Sequence, residues 1–196
     1  MKKILTFFLF SIIFISNINF SYSIEPDVFI QTTVNRAADT LSSNLSKEER
    51  IEELKQIAKD TVDISGIGLY SLGSHRKNLD KKQLLDYKAV FKKYFLKSFS
   101  SRLAEYSNPE IEIISKNKIN KNYTIVLSKL VRTENRPEVK IEWRVYTKNP
   151  ENLMIRDLII EGLSLARTQK EEFNSIINSN NGNIEALLEN LTDFSS

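Results

Sequence analysis

Between Glu110 and Ser164 the chain reads as four consecutive strands joined by short links, a pattern that leaves few folds open. The first strand alternates, with Ile111 and Ile113 facing away from Glu110, Glu112 and Lys116. The second, Tyr123 to Val131, places Tyr123, Ile125, Leu127 and Val131 on one side. In the third, Val139, Ile141, Trp143 and Val145 alternate with Lys140, Glu142 and Arg144. The fourth, Leu153 to Ser164, is apolar on both faces except at Arg156 and Asp157. Asn117, Asn120 and Asn122 bracket the first turn, Asn135-Arg136-Pro137 the second, and Asn149-Pro150-Glu151-Asn152 the third. Sequential strands with short links predict an antiparallel meander, one face of which needs a cover.

Helical periodicity on either side supplies that cover. Glu25-Pro26-Asp27 opens a helix carrying Ile30, Val34, Ala37, Ala38 and Leu41. Ser46-Lys47-Glu48-Glu49 is a capping box ahead of Ile51, Leu54, Ile57, Ala58 and Val62. Asp63 to Gly68 reads as a helix end followed by a short further turn to Leu72-Gly73. Asn78 or Asp80 then caps a long amphipathic segment reaching about Tyr106, roughly 40 Å if straight. Its stripe is Leu84, Tyr87, Phe91, Tyr94, Phe95, Phe99, Leu103 and Tyr106, and Asn108-Pro109 ends it. Past the strands, Leu165 to about Ile177 is helical, Asn181-Gly182 breaks the pattern, and Asn183 caps a last helix through Leu191. The expected class is α+β, with N-terminal and C-terminal helices packed on a four-stranded antiparallel sheet at about residues 110–164.

Of the 196 residues, the first 23 read as a secretory signal peptide. Lys2 and Lys3 precede an apolar run from Ile4 to Ile15, and Ser21-Tyr22-Ser23 supplies the small residues of a cleavage site. Residues 24–196 are then expected to form one exported domain. The 28 basic residues less Lys2 and Lys3 leave 26 against 25 acidic ones, a net charge near +1. That balance gives no electrostatic reason for nucleic acid. The chain has no cysteine, which excludes disulfides, thiol catalysis, thiolate metal sites and lipidation at an N-terminal cysteine.

Catalytic signals are sparse. His75 is the one histidine, and no Gly-x-Ser-x-Gly elbow accompanies it. Asp157 and Glu161 sit four residues apart on one strand, about 13 Å if extended, too far for a carboxylate pair and better suited to an ion pair or a turn. The lysines Lys81, Lys82, Lys88, Lys92, Lys93 and Lys97 lie mostly opposite the aromatic stripe, so the aromatics read as buried and the lysines as solvated. These lysines leave a transient contact with an anionic membrane surface or an acidic partner open. Tyr87, Phe91, Phe95 and Phe99 are expected to cover Ile125, Leu127, Ile141, Trp143 and Val145. Periodicity leaves open whether the two surfaces pack solidly or enclose a cavity.

Two segments carry a resemblance. Leu72-Gly73-Ser74-His75-Arg76, followed by Gln83, Phe91, Phe95 and Leu103, is one. The other is Asp157-Leu158-Ile159-Ile160-Glu161-Gly162-Leu163-Ser164-Leu165 with Phe173 downstream. Together they resemble the MlaC/Ttg2D family, also called the toluene-tolerance Ttg2 family, of periplasmic phospholipid-binding proteins. Leu153 and Arg156 stand where that family often has Trp and Tyr, and Gln169-Lys170 where it has Tyr-Arg. The resemblance implies an NTF2-like cone with phospholipid as cargo, no catalytic residue, no metal and no cofactor. It implies an acyl-chain pocket of Tyr87, Phe91, Phe95, Phe99, Ile125, Leu127, Ile141, Trp143, Val145 and Gly162. Its implied partners are an inner-membrane ABC-transporter complex and an outer-membrane lipoprotein complex. Two rival expectations are an exported adaptor or chaperone with a solid core, and a small-molecule enzyme on an NTF2-like fold with Asp157 or Glu161 in its pocket.

Overall fold

A computed structural model describes residues 23–106, 109–134 and 136–196. The leader reading falls on residues 1–22 and lies outside the described residues, as do the turn readings at Asn108 and Asn135. Helices α1 (Pro26–Ser42), α2 (Lys47–Thr61) and α3 (Ile64–Ser71) come first, then a single 3-10 turn at His75–Lys77 and the long α4 (Lys81–Leu103). Strands β1 (Ile111–Asn120), β2 (Tyr123–Leu130), β3 (Val139–Tyr146), β4 (Met154–Ile160) and β5 (Leu163–Ser164) follow, then α5 (Leu165–Ser179) and α6 (Ile184–Ser195). The strands pair antiparallel in sequence order, β1-β2-β3-β4-β5, as an open sheet.

The expected four strands are five because the Leu153–Ser164 stretch folds back on itself. Glu161 and Gly162 both take positive φ, 49° and 82°, so Ile160 pairs with Leu163 across a two-residue turn. That connection matches the twist of an antiparallel pair. The remaining edge of β4 is also occupied: Val62 forms a parallel bridge to Ile155, and the Asp63 N–H donates to the Ile155 carbonyl at 2.9 Å. A covered edge is closed to pairing with another chain.

Helix starts follow the side-chain chemistry written in the sequence. Ser46 accepts from the Glu49 N–H while the Glu49 carboxylate takes the Ser46 N–H, and Asp80 and Gln83 do the same for α4. Asp63 is a cap as well, accepting from the Gly66 N–H at 2.8 Å, and it starts α3, the short further helix expected before Leu72-Gly73. Four buried hydroxyls, Thr33, Thr61, Ser71 and Ser100, donate to the carbonyl four residues earlier and bring no unmet polar demand into the core.

The second strand corrects the face expected of it. Thr124, Val126, Ser128 and Leu130 are its buried residues, while Tyr123, Ile125 and Leu127 lie on the opposite face and are half-buried. Register fixes this, because Val126 pairs with Trp143 and Ser128 with Ile141, whereas Ile125 opposes Arg144 and Leu127 opposes Glu142. Sequence favours the odd-numbered set, whose side chains are larger and more apolar. The even-numbered set faces inward because Trp143 Nε1–H donates to Ser128 Oγ at 2.8 Å, which makes a serine useful there.

Candidate functional site

Helices α1, α3 and α5 approach the strands, and α4 packs against α2, α3 and α6 with its aromatic stripe in the same core. Tyr87 and Phe91 are fully buried, in one core cluster with Val126, Ile141, Trp143, Val145 and Ile155. Phe95 and Phe99 are half-buried and pack against that cluster. Tyr87 stacks on Phe91 at 5.7 Å, Phe95 on Phe99 at 5.6 Å, and Phe173 of α5 meets Phe91 edge-on at 6.1 Å. The aromatic stripe and the inner face of β3 therefore belong to one packed core.

A cavity of about 320 Å³ opens at one end of this wall, between the α2–α3 junction and α4. Val62, Ile64, Gly68, Tyr87, Phe91 and Met154 form its apolar lining; Asp63, Ser65, Lys59, Lys88 and Lys92 complete it. Gly68 permits the close approach of α3 to α4 here, since a Cβ on it would stand 2.7 Å from the Phe91 ring. The Tyr87 hydroxyl donates to the Gly68 carbonyl at 2.9 Å, and burial pushes this phenol far above the usual tyrosine range.

Asp63 is the carboxylate in this lining, and its charge is already matched. Arg156 donates to Asp63 Oδ2 through Nε and Nη2, both at 2.7 Å, and through Nη1 to the Tyr123 hydroxyl at 2.9 Å. The guanidinium lies 3.6 Å from the centre of the Tyr146 ring. Arg156 thus fastens the start of α3 to the end of the sheet beside the cavity. Sequence alone gave no sign of this contact, because 93 residues separate the pair. The legible part was a helix end at Asp63 followed by a short further turn, and the cap that Asp63 supplies to that turn comes from the structure.

Seven of the ten residues expected to line a pocket come together: Tyr87, Phe91, Phe95, Phe99, Ile141, Trp143 and Val145. Three do not. Ile125 and Leu127 belong to the other face of β2, for the register reason given above. Gly162 is exposed, a Cβ on it would meet nothing within 4 Å, and its φ of 82° makes it a turn residue. The residues missed on the inner face are Thr124, Val126, Ser128 and Leu130, together with the cavity lining contributed by α2 and α3.

The Asp157–Leu165 segment has a structural purpose. Asp157 is buried, accepts from the Ser164 hydroxyl at 2.6 Å and from the Ala166 N–H at 3.0 Å, and stands 3.7 Å from Arg144. Ser164 in turn caps α5 by accepting from the Arg167 N–H. The motif ties β4, the hairpin turn and the first turn of α5 into one unit. Glu161 accepts the Lys140 N–H from within the exposed turn. Asp157 and Glu161 thus serve an ion pair and a turn, and neither lines the cavity. Among the described residues no helix is long and apolar enough to cross a membrane.

Comparison with known proteins agrees with this geometry. A search among curated proteins finds no match. Among solved structures, the fold is similar to that of a phospholipid-binding protein from Ralstonia solanacearum, solved in complex with a phospholipid. The two share 18% identity at a TM-score of 0.73, over 88% of this chain and 97% of that one. A family model described as MlaC protein matches residues 31–193. Because that match runs from the second turn of α1 to the last turn of α6, the chain belongs to the MlaC family.

Proposed function

We propose that this protein is a carrier that holds a diacyl phospholipid and moves it through the periplasm. The observation that carries this reading is the aromatic stripe of α4 sharing one core with the inner face of β3, with a cavity opening beside Tyr87 and Phe91, in a chain of this family. Acyl chains enter by parting Tyr87, Phe91, Phe95 and Phe99 from Ile141, Trp143 and Val145. The chain is made with a signal peptide at residues 1–23, and residues 24–196 act as one lipid-binding domain. Its partners are an inner-membrane ABC-transporter complex and an outer-membrane lipoprotein complex, and the exchange maintains the lipid asymmetry of the outer membrane. It is not an enzyme: phospholipid is cargo and leaves unchanged.

The energetics suit a shuttle. Two chains of sixteen carbons represent on the order of 25 kcal/mol of transfer from water, at ~0.8 kcal/mol per CH₂. A wall of aromatic and aliphatic side chains with few fixed polar groups returns most of that without discriminating between chain lengths. Loading from a bilayer is then nearly isoenergetic, and docking to the partner complexes sets direction. The test is to express the full chain in a bacterium with two membranes, purify the exported product without detergent, and combine native mass spectrometry with lipid extraction. One diacyl phospholipid per chain is expected. A lipid-free mass that persists after incubation with phospholipid vesicles would overturn the reading in favour of an adaptor.

A further inference from the structure

The cavity beside α3 is amphipathic in a specific way. Its floor is Tyr87 and Phe91, while Lys59, Lys88 and Lys92 belong to the same lining. Lys88 and Lys92 are one helical turn apart on α4 and so share a face, where like charges repel. Lys59 approaches from the end of α2. Among the described residues none of the three makes an ion pair, although carboxylates stand nearby. Asp60 is taken by Arg36 at 2.9 Å, Glu52 by Lys55 at 2.6 Å, and Asp63 by Arg156. Lys59 feels the charges of Glu52 and Asp60 without contacting either, and three lysines free of direct ion pairs around an apolar floor describe a receptor for an anion joined to a hydrocarbon.

We propose that Lys59, Lys88 and Lys92 hold the phosphate of an amphiphile whose chains run inward over Tyr87 and Phe91. This rests on the carrier reading above and adds the place and chemistry of the head. Lysine supplies compact, rotatable charge that follows a phosphate without fixing what is esterified to it. Selection is therefore for the phosphate, and the group beyond it stays in solvent. The Asp63–Arg156 pair keeps the lining's one carboxylate from cancelling that field. A free phosphate ion shares the anionic chemistry but makes no use of the aromatic floor.

The test uses vesicles of digalactosyl diacylglycerol, a bilayer lipid without phosphate, doped equally with phosphatidylglycerol and diacylglycerol of matched chains. After incubation the protein is reisolated and the ratio of the two extracted lipids is measured. The parent is expected to favour phosphatidylglycerol by about tenfold or more, the size of one strong charge-assisted contact. In the triple variant K59Q/K88Q/K92Q that ratio should fall to near unity. A second triple variant, K81Q/K82Q/K93Q, removes the same charge from α4 away from the cavity and should keep the parental ratio. Melting curves confirm that both are folded, since the substituted side chains are largely solvated. A parent without preference, an unchanged ratio in the first variant, or an equal loss in the second would each overturn the head-group assignment while leaving the carrier standing. A parent that takes up neither lipid overturns both, and titration with inorganic phosphate then shows whether the lysines bind the bare anion.

Discussion

Tyr87 joins the fold and the site in one side chain. Its ring is the floor of the cavity, and its hydroxyl holds α3 to α4 through the Gly68 carbonyl. Replacing it with phenylalanine keeps the ring and deletes the bond. At neutral pH, Tyr87→Phe should cost about 1 kcal/mol in urea unfolding. In alkali the sign reverses. Burial raises the folded pKa above the unfolded value of about 10, so the protonated phenol's stabilising contribution is complete below pH 10 and is lost as pH climbs beyond it. The variant should therefore lose less stability than the parent between neutral pH and pH 11, a difference readable in paired urea midpoints. An identical alkaline loss in both proteins would contradict the buried, ionisation-resistant phenol. At this scale the sequence was legible where a residue acts on near neighbours, as at Ser46, Asp80 and Asn183, all of which accept a helix N–H as expected. Pairs formed by tertiary packing, such as Asp63 with Arg156 or Trp143 with Ser128, leave no local periodicity to detect.

At the scale of elements, the helices are legible because each carries an apolar stripe and most carry a side-chain cap, although α4 stops at Leu103 before the expected Tyr106 and α6 runs past Leu191 to Ser195. The strands are legible in order but not wholly in number, face or length, since the expected fourth strand is β4 and a two-residue β5 folded back on it. Alternation shows that a strand has two faces. It does not show which is inward when Ile125 and Leu127 compete with Val126 and Leu130, and only pairing with β3 decides. The Glu161-Gly162 turn was hidden for the opposite reason: its flanks are apolar on both sides, so a hairpin and a continuous strand look alike. Gly162 has open space around its Cα and a φ of 82°, so Gly162→Ala tests backbone conformation alone. The substitution should destabilise the protein by about 1 kcal/mol, the cost of a side chain in the left-handed region. Lipid loading measured by extraction should be unchanged. Loss of lipid with unaltered stability would instead return Gly162 to the pocket wall.

For the whole molecule, the decisive quantity is room. The cavity of about 320 Å³ lies at the small end of ligand pockets, which span roughly 300–1,000 Å³. On the carrier reading proposed above, two acyl chains need the core shared by α4 and β3 to open, and Phe95 and Phe99 on α4 are only half-buried in it. A carrier whose empty form closes its own aromatic wall avoids presenting a large apolar surface to water, and it recovers part of the cost of emptying through that packing. The sequence foresaw the two apolar surfaces and left their relation open. Volume between elements depends on how they are juxtaposed, which composition does not encode.

Trp143 is the chain's single tryptophan and stands in the middle of β3 on the inner face, so it reports directly on that opening. The most direct measurement is its fluorescence on loading phosphatidylglycerol with brominated acyl chains, compared with the same lipid unbrominated. If acyl chains lie between α4 and the sheet, bromine should quench Trp143 strongly, to an extent that changes with its position along the chain. Stoichiometric binding of the brominated lipid with Trp143 emission unchanged would contradict the account, and would place the chains outside the core that α4 closes.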